Sequence, residues 1–481
     1  MAGPTALRRS TPVFGALGAV GVATAVTAAL ARTLATGSGA TVYGALGVAA
    51  ILALALVARL PHLAVAGLLV FVQVQAALKF YVSNTLGPAK DAATLLVVAV
   101  VVGAAVLTRS GRARPVDRWL LAAIGVLVAI YLLDPAGGRT AGWSPAVRLV
   151  VESLGLFVAG WLAPDPRRTW RWAAGALVGT GVVQSLLGVG EQLLGADRLV
   201  TDLGLAYGAQ VRTTSGGQLR SFGTFDDPFN YGAITTIALV VAATTVRRAW
   251  LRTALVAVLA VGVVTSVDRT MLALLPVLLL AWLALHGRVR LAALVLAVGV
   301  AGGVGYLALP SAPAPPQVVQ ADAPQGGFLL TLNGRTQTWS QVVRGLQDVP
   351  FGRGVGVLGT GLARSQAGNI ATQQRYVDGV APDAASNTQL TSLDNSYLQV
   401  VADVGLLGLA VLLVAGARVC SLLRPGVRRR SPPALAGAGI LLVVAVDGLT
   451  RTSLTAFPFG FVALLALGSA LAAARQPDAR R

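Results

Sequence analysis

A small set of polar residues stands where long apolar segments give way to turns: Arg220, Asp227, Arg269, Arg335, Asp394, Asn395 and Arg451. Arg220 opens Arg220-Ser221-Phe222-Gly223-Thr224-Phe225-Asp226-Asp227-Pro228, just ahead of an apolar run, and Asp268-Arg269 forms the tip of a tight hairpin between two others. Arg335 begins an amphipathic stretch, Asp394-Asn395 closes a long polar segment, and Arg451 lies in a short turn. A guanidinium matches phosphate oxygens two at a time and stays charged, so Arg220, Arg269 and Arg335 together suit a diphosphate, with Arg451 as a weaker fourth. A carboxylate at such a junction, Asp394 first, then Asp226, Asp227 or Asp268, could take a proton from an attacking hydroxyl. Each residue also has a plain structural role open to it. Arg220 could snorkel at an interface, Asp268 and Arg269 could pair to cap their hairpin, and Arg335 could sit on a solvated face. Asp394 or Asn395 could cap the next helix. An ionisable pair at a hairpin tip close to the bilayer surface is costly enough to favour a functional role for Arg269.

The elements that must position these residues are apolar helices. Hydrophobic residues make up 55% of the 481 residues, charged ones 12%, and the mean hydropathy is +0.73. That is the composition of an all-α polytopic membrane protein, not of a string of soluble domains. Segments approaching or reaching the roughly 17–25 residues of a membrane helix recur about 14 times. They fall at about 13–31, 41–58, 63–80, 92–108, 119–133, 149–163, 173–194, 229–246, 251–267, 270–286, 291–309, 396–417, 434–450 and 456–474. The chain divides into an N-terminal bundle (1–194), helices carrying the arginine motifs (195–309), one large extracytoplasmic loop with short helices (310–395), and C-terminal helices (396–481).

The net charge of +19 is distributed in a way that rejects a nucleic-acid partner. Arginines crowd alternate connections, among them Arg109/Arg112/Arg114/Arg118, Arg167/Arg168/Arg171, Arg247/Arg248/Arg252 and Arg424/Arg428/Arg429/Arg430, against only Asp117, Asp165 and Asp478. The positive-inside rule puts these connections and both termini in the cytoplasm, so the chain is expected to be a multi-pass protein of the cytoplasmic (inner) membrane. Arg8-Arg9 with the apolar run ending at Ala29-Leu30-Ala31 reads as a first anchor helix or a cleavable leader. The single cysteine, Cys420, and both histidines, His62 and His286, fall on the cytoplasmic side. The outer face then has neither histidine nor a metal-spaced cluster, and no metal or cofactor is expected.

The 310–395 loop starts with the flexible Pro310-Ser311-Ala312-Pro313-Ala314-Pro315-Pro316. A helix over 335–348 is expected, with Trp339, Val342, Val343 and Leu346 on one face, Asn333 as its cap, and Pro350 and the following glycines ending it. Phe351-Gly352-Arg353-Gly354-Val355-Gly356 is glycine-rich but follows no strand, so it is not a nucleotide loop.

The order of these motifs is familiar. Arg220 with Gly223-Thr224-Phe225 and Asp227-Pro228, then Thr265-Ser266-Val267-Asp268-Arg269, Arg335 with Trp339, Pro350 to Gly354, and Asp394-Asn395-Ser396-Tyr397-Leu398 with Gly405 and Gly408 form one series. Over about 215–415 it resembles the O-antigen ligase/polymerase family of bacterial membrane glycosyltransferases (WaaL/Wzy type). The resemblance implies transfer of an oligosaccharide from an undecaprenyl-pyrophosphate donor to an acceptor sugar hydroxyl at the outer face of the membrane, without metal or nucleotide sugar. It implies that Arg220 and Arg269 hold the pyrophosphate and that Arg335 stabilises the leaving diphosphate from the loop. The expected catalytic residues are then Asp394, Arg269 and Arg335, and Asp227, Asn395 and Arg451 join Arg220, Arg269 and Arg335 as the expected substrate-binding set. The implied partners are that donor, a glycan acceptor, the bilayer and other polysaccharide-assembly proteins. Two positions depart from the family pattern: Asp394 stands where ligases carry histidine, and an Asn-Pro-Asn-like segment reads Asp227-Pro228-Phe229-Asn230. The departures favour a polymerase over single transfer by a ligase. A flippase is the other class, but charges inside spans are scarce (Glu152, Glu191, Asp403) and no internal repeat is evident.

Overall fold

A computed structural model describes residues 60–81, 89–107, 117–134, 142–205, 211–214, 217–285, 290, 339, 343, 351–357, 393–452, 454 and 457–476. Among them the chain forms helices α1 (Pro61–Tyr81), α2 (Ala89–Leu107), α3 (Arg118–Leu133), α4 (Trp143–Leu162) and α5 (Pro166–Thr201). A two-stranded antiparallel ribbon follows, β1 (Arg212–Thr213) with β2 (Leu219–Arg220), in a register that sets Arg212 opposite Arg220. Then come α6 (Pro228–Thr245), α7 (Ala249–Thr265), α8 (Arg269–Leu285), α9 (Ser396–Arg428), α10 (Pro432–Thr450) and α11 (Phe459–Ala474). The helices start where the sequence supplies caps. Asp117, Asp165 and Asp227 each accept a backbone N–H of the first turn, and Pro166 and Pro228 take the first helical position where no N–H is needed.

Six of these helices (α1, α4, α5, α6, α9 and α10) are long and apolar enough to cross a membrane, and α3, α7, α8 and α11 are shorter apolar helices. The chain is an integral membrane protein. The expected spans at 13–31, 41–58 and 291–309 lie outside the described residues, as does most of the 310–395 loop. Of the helix expected at 335–348, Trp339 and Val343 are described and both are helical. Two spans differ from their expected form. α5 runs from Pro166 to Thr201 with a non-helical Gly195, and the segment expected as one span at 396–417 is broken at Val404-Gly405, where Gly405 has φ 71 and ψ −169. Hydropathy follows composition and does not register a backbone break inside an apolar run.

α11 lies at the centre of the bundle, with every residue from Phe459 to Ala473 buried. It packs against α4 and α10, while α6 packs on α5, α7 and α10, and α9 on α3 and α10. The α4–α11 contact is close because of glycine. A Cβ at Gly468 would fall 2.1 Å from the Phe157 carbonyl, and one at Gly160 would fall 2.5 Å from that of Leu465. Lipid supplies no hydrophobic drive between helices, so backbone approach at small residues supplies van der Waals packing instead.

Candidate active site

One end of this bundle gathers most of the residues singled out in the sequence. Arg220 reaches it on a segment threaded back among the helices. Gln192 Nε2 on α5 donates to the Leu219 carbonyl at 2.8 Å, to Ser221 Oγ at 3.0 Å and to the Thr265 carbonyl at 3.2 Å. Glu191 Oε2 accepts the Phe222 N–H at 2.8 Å, Gln184 Oε1 accepts that of Thr224 at 2.9 Å, and the Ser221 N–H donates to the Thr265 carbonyl at 2.9 Å. Backbone groups that neither a ladder nor water would satisfy are thus met by polar side chains of a membrane helix. Glu191, read from sequence as a stray charge inside a span, has this holding role.

The Arg220 side chain stands over the Phe229 ring at 5.6 Å, and its buried Nε has no hydrogen-bond partner among the described residues. Burial pulls its pKa down, as do the positive charges of Arg269 and Arg212, with Asp268 acting against them. Arg212, opposite Arg220 in the ribbon, and the exposed Arg269 both lie within electrostatic reach of Arg220. Such a set is poised for an anion.

The hairpin between α7 and α8 explains how Asp268 and Arg269 part company. Val267 has φ 49, a left-handed conformation that a β-branched residue adopts only under constraint. Next to it, Asp268 is buried and Arg269 is exposed. Asp268 Oδ1 accepts the Thr270 N–H at 3.0 Å and so caps α8, while Oδ2 lies 4.0 Å from Arg451 Nη1. The capping role open to this pair from sequence falls to Asp268, whose free carboxylate oxygen faces Arg451.

Arg451, the weakest of the arginine candidates in the sequence, is the hub of a buried network. Its Nη2 donates to Asn230 Oδ1 at 3.1 Å, its Nη1 is 3.8 Å from Asp447 Oδ1, and the guanidinium lies 5.4 Å from the Phe229 ring. Burial disfavours its charge, but Asp447, Asp227, Asp268 and Asp394 more than offset this and raise its pKa. Asp268 is pushed up to about 6, by burial first and by Asp447, against the pull of Arg451. Asp227 caps α6 through the Asn230 N–H at 2.7 Å and accepts from Asn230 Nδ2 at 2.5 Å, which orients the amide toward Arg451. Asn230 and Asp447 were not candidates in the sequence reading. Asp447 carries a usable signal, being a carboxylate inside the apolar run 434–450, four residues before Arg451.

At the last loop-to-helix junction the two neighbours separate in role. Asn395 is the cap: its Oδ1 accepts the N–H groups of Tyr397 at 2.9 Å and Leu398 at 3.0 Å, and its Nδ2 donates to the Leu449 carbonyl at 3.0 Å. Asp394 has φ 45, is half-buried, and contributes to the field on Arg451. Trp339 Nε1 donates to the Leu393 carbonyl at 2.8 Å and so ties the loop to this junction. Arg335 lies outside the described residues.

Residues 351–357 strap across the break in α9. The Arg353 N–H donates to the Ala402 carbonyl at 2.7 Å, that of Val355 to Asp134 Oδ1 at 3.1 Å, and that of Gly356 to Asp403 Oδ1 at 3.3 Å. Glycine is required at the ends of this strap. A Cβ at Gly352 would lie 2.7 Å from the Gly405 nitrogen, and one at Gly356 would lie 2.2 Å from the Gly142 carbonyl.

Residues 232–413 match the family model described as O-antigen ligase. This stretch belongs to the O-antigen ligase family. It contains Asp268, Arg269, Asp394 and Asn395, while Arg220, Asp227, Asn230, Asp447 and Arg451 come from flanking sequence and converge on it in space. The resemblance read from the motifs and the family match therefore agree. No curated protein matches the chain.

Proposed function

We propose that this protein is a membrane glycosyltransferase that polymerises undecaprenyl-pyrophosphate-linked oligosaccharide units at the outer face of the cytoplasmic membrane, on a scaffold of about 14 spans. The observation that carries the reading is the convergence of Arg220, Arg269 and Arg212 on one region beside the buried Arg451–Asp268–Asp447 network. Arg220 and Arg269 hold the donor pyrophosphate and offset charge that grows on the leaving diphosphate, with Arg335 contributing from the loop. Asp394 accepts the proton of the attacking sugar hydroxyl. The hydroxyl oxygen then bonds to the anomeric carbon as the carbon–phosphate oxygen bond breaks, and the diphosphate lipid departs with the bonding pair.

Single transfer to an acceptor, as by a ligase, is the second reading, and the description of the matching family favours it. Against it, His62 lies at the opposite end of the bundle, at the start of α1, and Asp394 occupies the junction. The test is purified protein supplied with a lipid-pyrophosphate repeat unit. A ladder of products supports polymerisation, one added unit supports ligation, and no transfer of either kind removes the proposal.

A further inference from the structure

The opposite end of the bundle carries arginines that glycan transfer does not use. In α9 the exposed residues beyond the break include a stripe of Leu406, Leu407, Leu413 and Val414, then Ser421, Arg424 and Arg428. Leu407, Val414, Ser421 and Arg428 follow at intervals of two helical turns and so share a face. At 1.5 Å per residue Arg424 lies about 15 Å beyond Val414, half the hydrocarbon thickness of a bilayer. A guanidinium at the headgroup level thus continues an apolar track that reaches the membrane centre.

The arginines differ in their commitments. Arg418 is held by Asp117 at the cap of α3, with Nε 3.1 and 3.0 Å from the two carboxylate oxygens. Arg424, Arg428 and Arg429 make no side-chain hydrogen bond or ion pair with any described residue. With Ser421 and Pro425 they line an open recess of about 320 Å³. Three guanidiniums around one recess, with no anionic partner among the described residues, call for an anion. The apolar track leading into it calls for one that carries acyl chains.

We propose that this recess binds the phosphate of an anionic glycerophospholipid, whose chains lie along Leu413 and Val414. The positive-inside pattern assigns the lipid to the cytoplasmic leaflet. Basic residues at an anionic membrane surface contribute roughly fivefold each in affinity, so three supply a preference over zwitterionic lipid of on the order of a hundredfold. The site is remote from the Arg451 hub and stands whether the enzyme polymerises or ligates.

The test uses the full-length protein in zwitterionic detergent, with phosphatidylglycerol or phosphatidylcholine titrated in and retained lipid counted by native mass spectrometry. Wild type should retain phosphatidylglycerol selectively. The Arg424→Gln/Arg428→Gln/Arg429→Gln variant should lose at least about tenfold of that retention. Arg428→Glu alone should weaken it, in case the triple variant melts early. Exposed arginines at the same end on other helices serve as controls, and Arg171→Gln/Arg248→Gln should leave retention unchanged. Equal retention by the variants and wild type, equal loss in the control, or equal binding of phosphatidylcholine would overturn the proposal. Displacement of the lipid by millimolar inorganic phosphate would likewise overturn it, by identifying a free-anion site.

Discussion

Asp394 and Asn395 are adjacent, yet the structure gives opposite expectations for their replacement. Asn395 caps α9 through two N–H groups and ties the junction to Leu449. Asp394 precedes that cap residue and stands at φ 45, a left-handed conformation that asparagine adopts as readily as aspartate. Asp394→Asn therefore keeps shape and backbone while removing basicity. If Asp394 accepts the hydroxyl proton, turnover falls about 10²–10⁴-fold, or roughly 3–5 kcal/mol of transition-state stabilisation, with donor binding retained. Asn395→Ala removes a cap worth about 1 kcal/mol and the Leu449 hydrogen bond worth about 1 kcal/mol more, and should lower thermal stability while the folded fraction turns over normally. The assay pairs single-turnover transfer from the lipid-pyrophosphate donor with a melting curve in the same detergent. Asp394→Asn turnover within about twofold of wild type would end the case for Asp394 as base and move it to Asp227 or Asp226.

Further outcomes are expected at neighbouring positions. Arg269→Ala should abolish transfer with normal protein abundance, and Arg269→Lys should restore little, because a point charge does not replace a two-pronged donor. Full activity in Arg269→Ala excludes a diphosphate clamp there. Arg451→Gln leaves Asp268 and Asp447 buried without their cation and should cost about 3–5 kcal/mol of stability, partly recovered by adding Asp447→Asn. A melt unchanged from wild type would dissolve the hub. Asp268 has a folded pKa raised to about 6. An acid shifted upward binds its proton on folding, so its stability contribution is highest below about pH 4, falls between about 4 and 6, and is flat above that. The fall is on the order of 3 kcal/mol, and a stability difference between Asp268→Asn and wild type that stays constant across this window counts against it. For topology, with Cys420 replaced by serine, Thr360→Cys and Leu390→Cys should label from outside and Arg112→Cys only after permeabilisation. External labelling at 112 reverses the orientation.

The helical scaffold was legible because apolar runs of membrane length leave few alternatives. The ends of α3, α6, α10 and α11 fall within a few residues of their expected spans. The site was partly legible, because charges at span ends are costly and draw notice. Arg220, Asp227, Asp268, Arg269, Asp394 and Arg451 all lie at the same end. What escaped depends on geometry rather than composition. Asn230 looks like an ordinary helix-start residue until Asp227 turns its amide toward Arg451. Gln192 and Glu191 look misplaced in a span until the 219–224 segment is threaded beside them. The glycines of 351–356 could be excluded as a nucleotide loop, but their need for close approach to Gly405 and Gly142 appears only in three dimensions.

The arrangement separates charge in a way that suits group transfer. Arg269 and Arg212 add positive charge beside Arg220, whose charged form burial also disfavours. Gln192 and Glu191 hold the segment that carries Arg220, and Gln192 also ties it to Thr265 ahead of the Arg269 hairpin, so the positive field is built in by folding and favours an anion. Arg451, by contrast, has its charge favoured by the carboxylates of Asp447, Asp227, Asp268 and Asp394. Phe229 is common to both groups, its ring 5.6 Å from the Arg220 guanidinium and 5.4 Å from that of Arg451. Its place is fixed by the Asp227 cap and Pro228 immediately before it. On the proposed reading the diphosphate seats on the arginine side and the acceptor hydroxyl meets Asp394 on the acidic side. Phe229→Ala would then loosen both cations at once, lowering donor affinity and the stability of the Arg451 hub together. A substitution that changed only one of them would show that the two halves of the site are positioned independently.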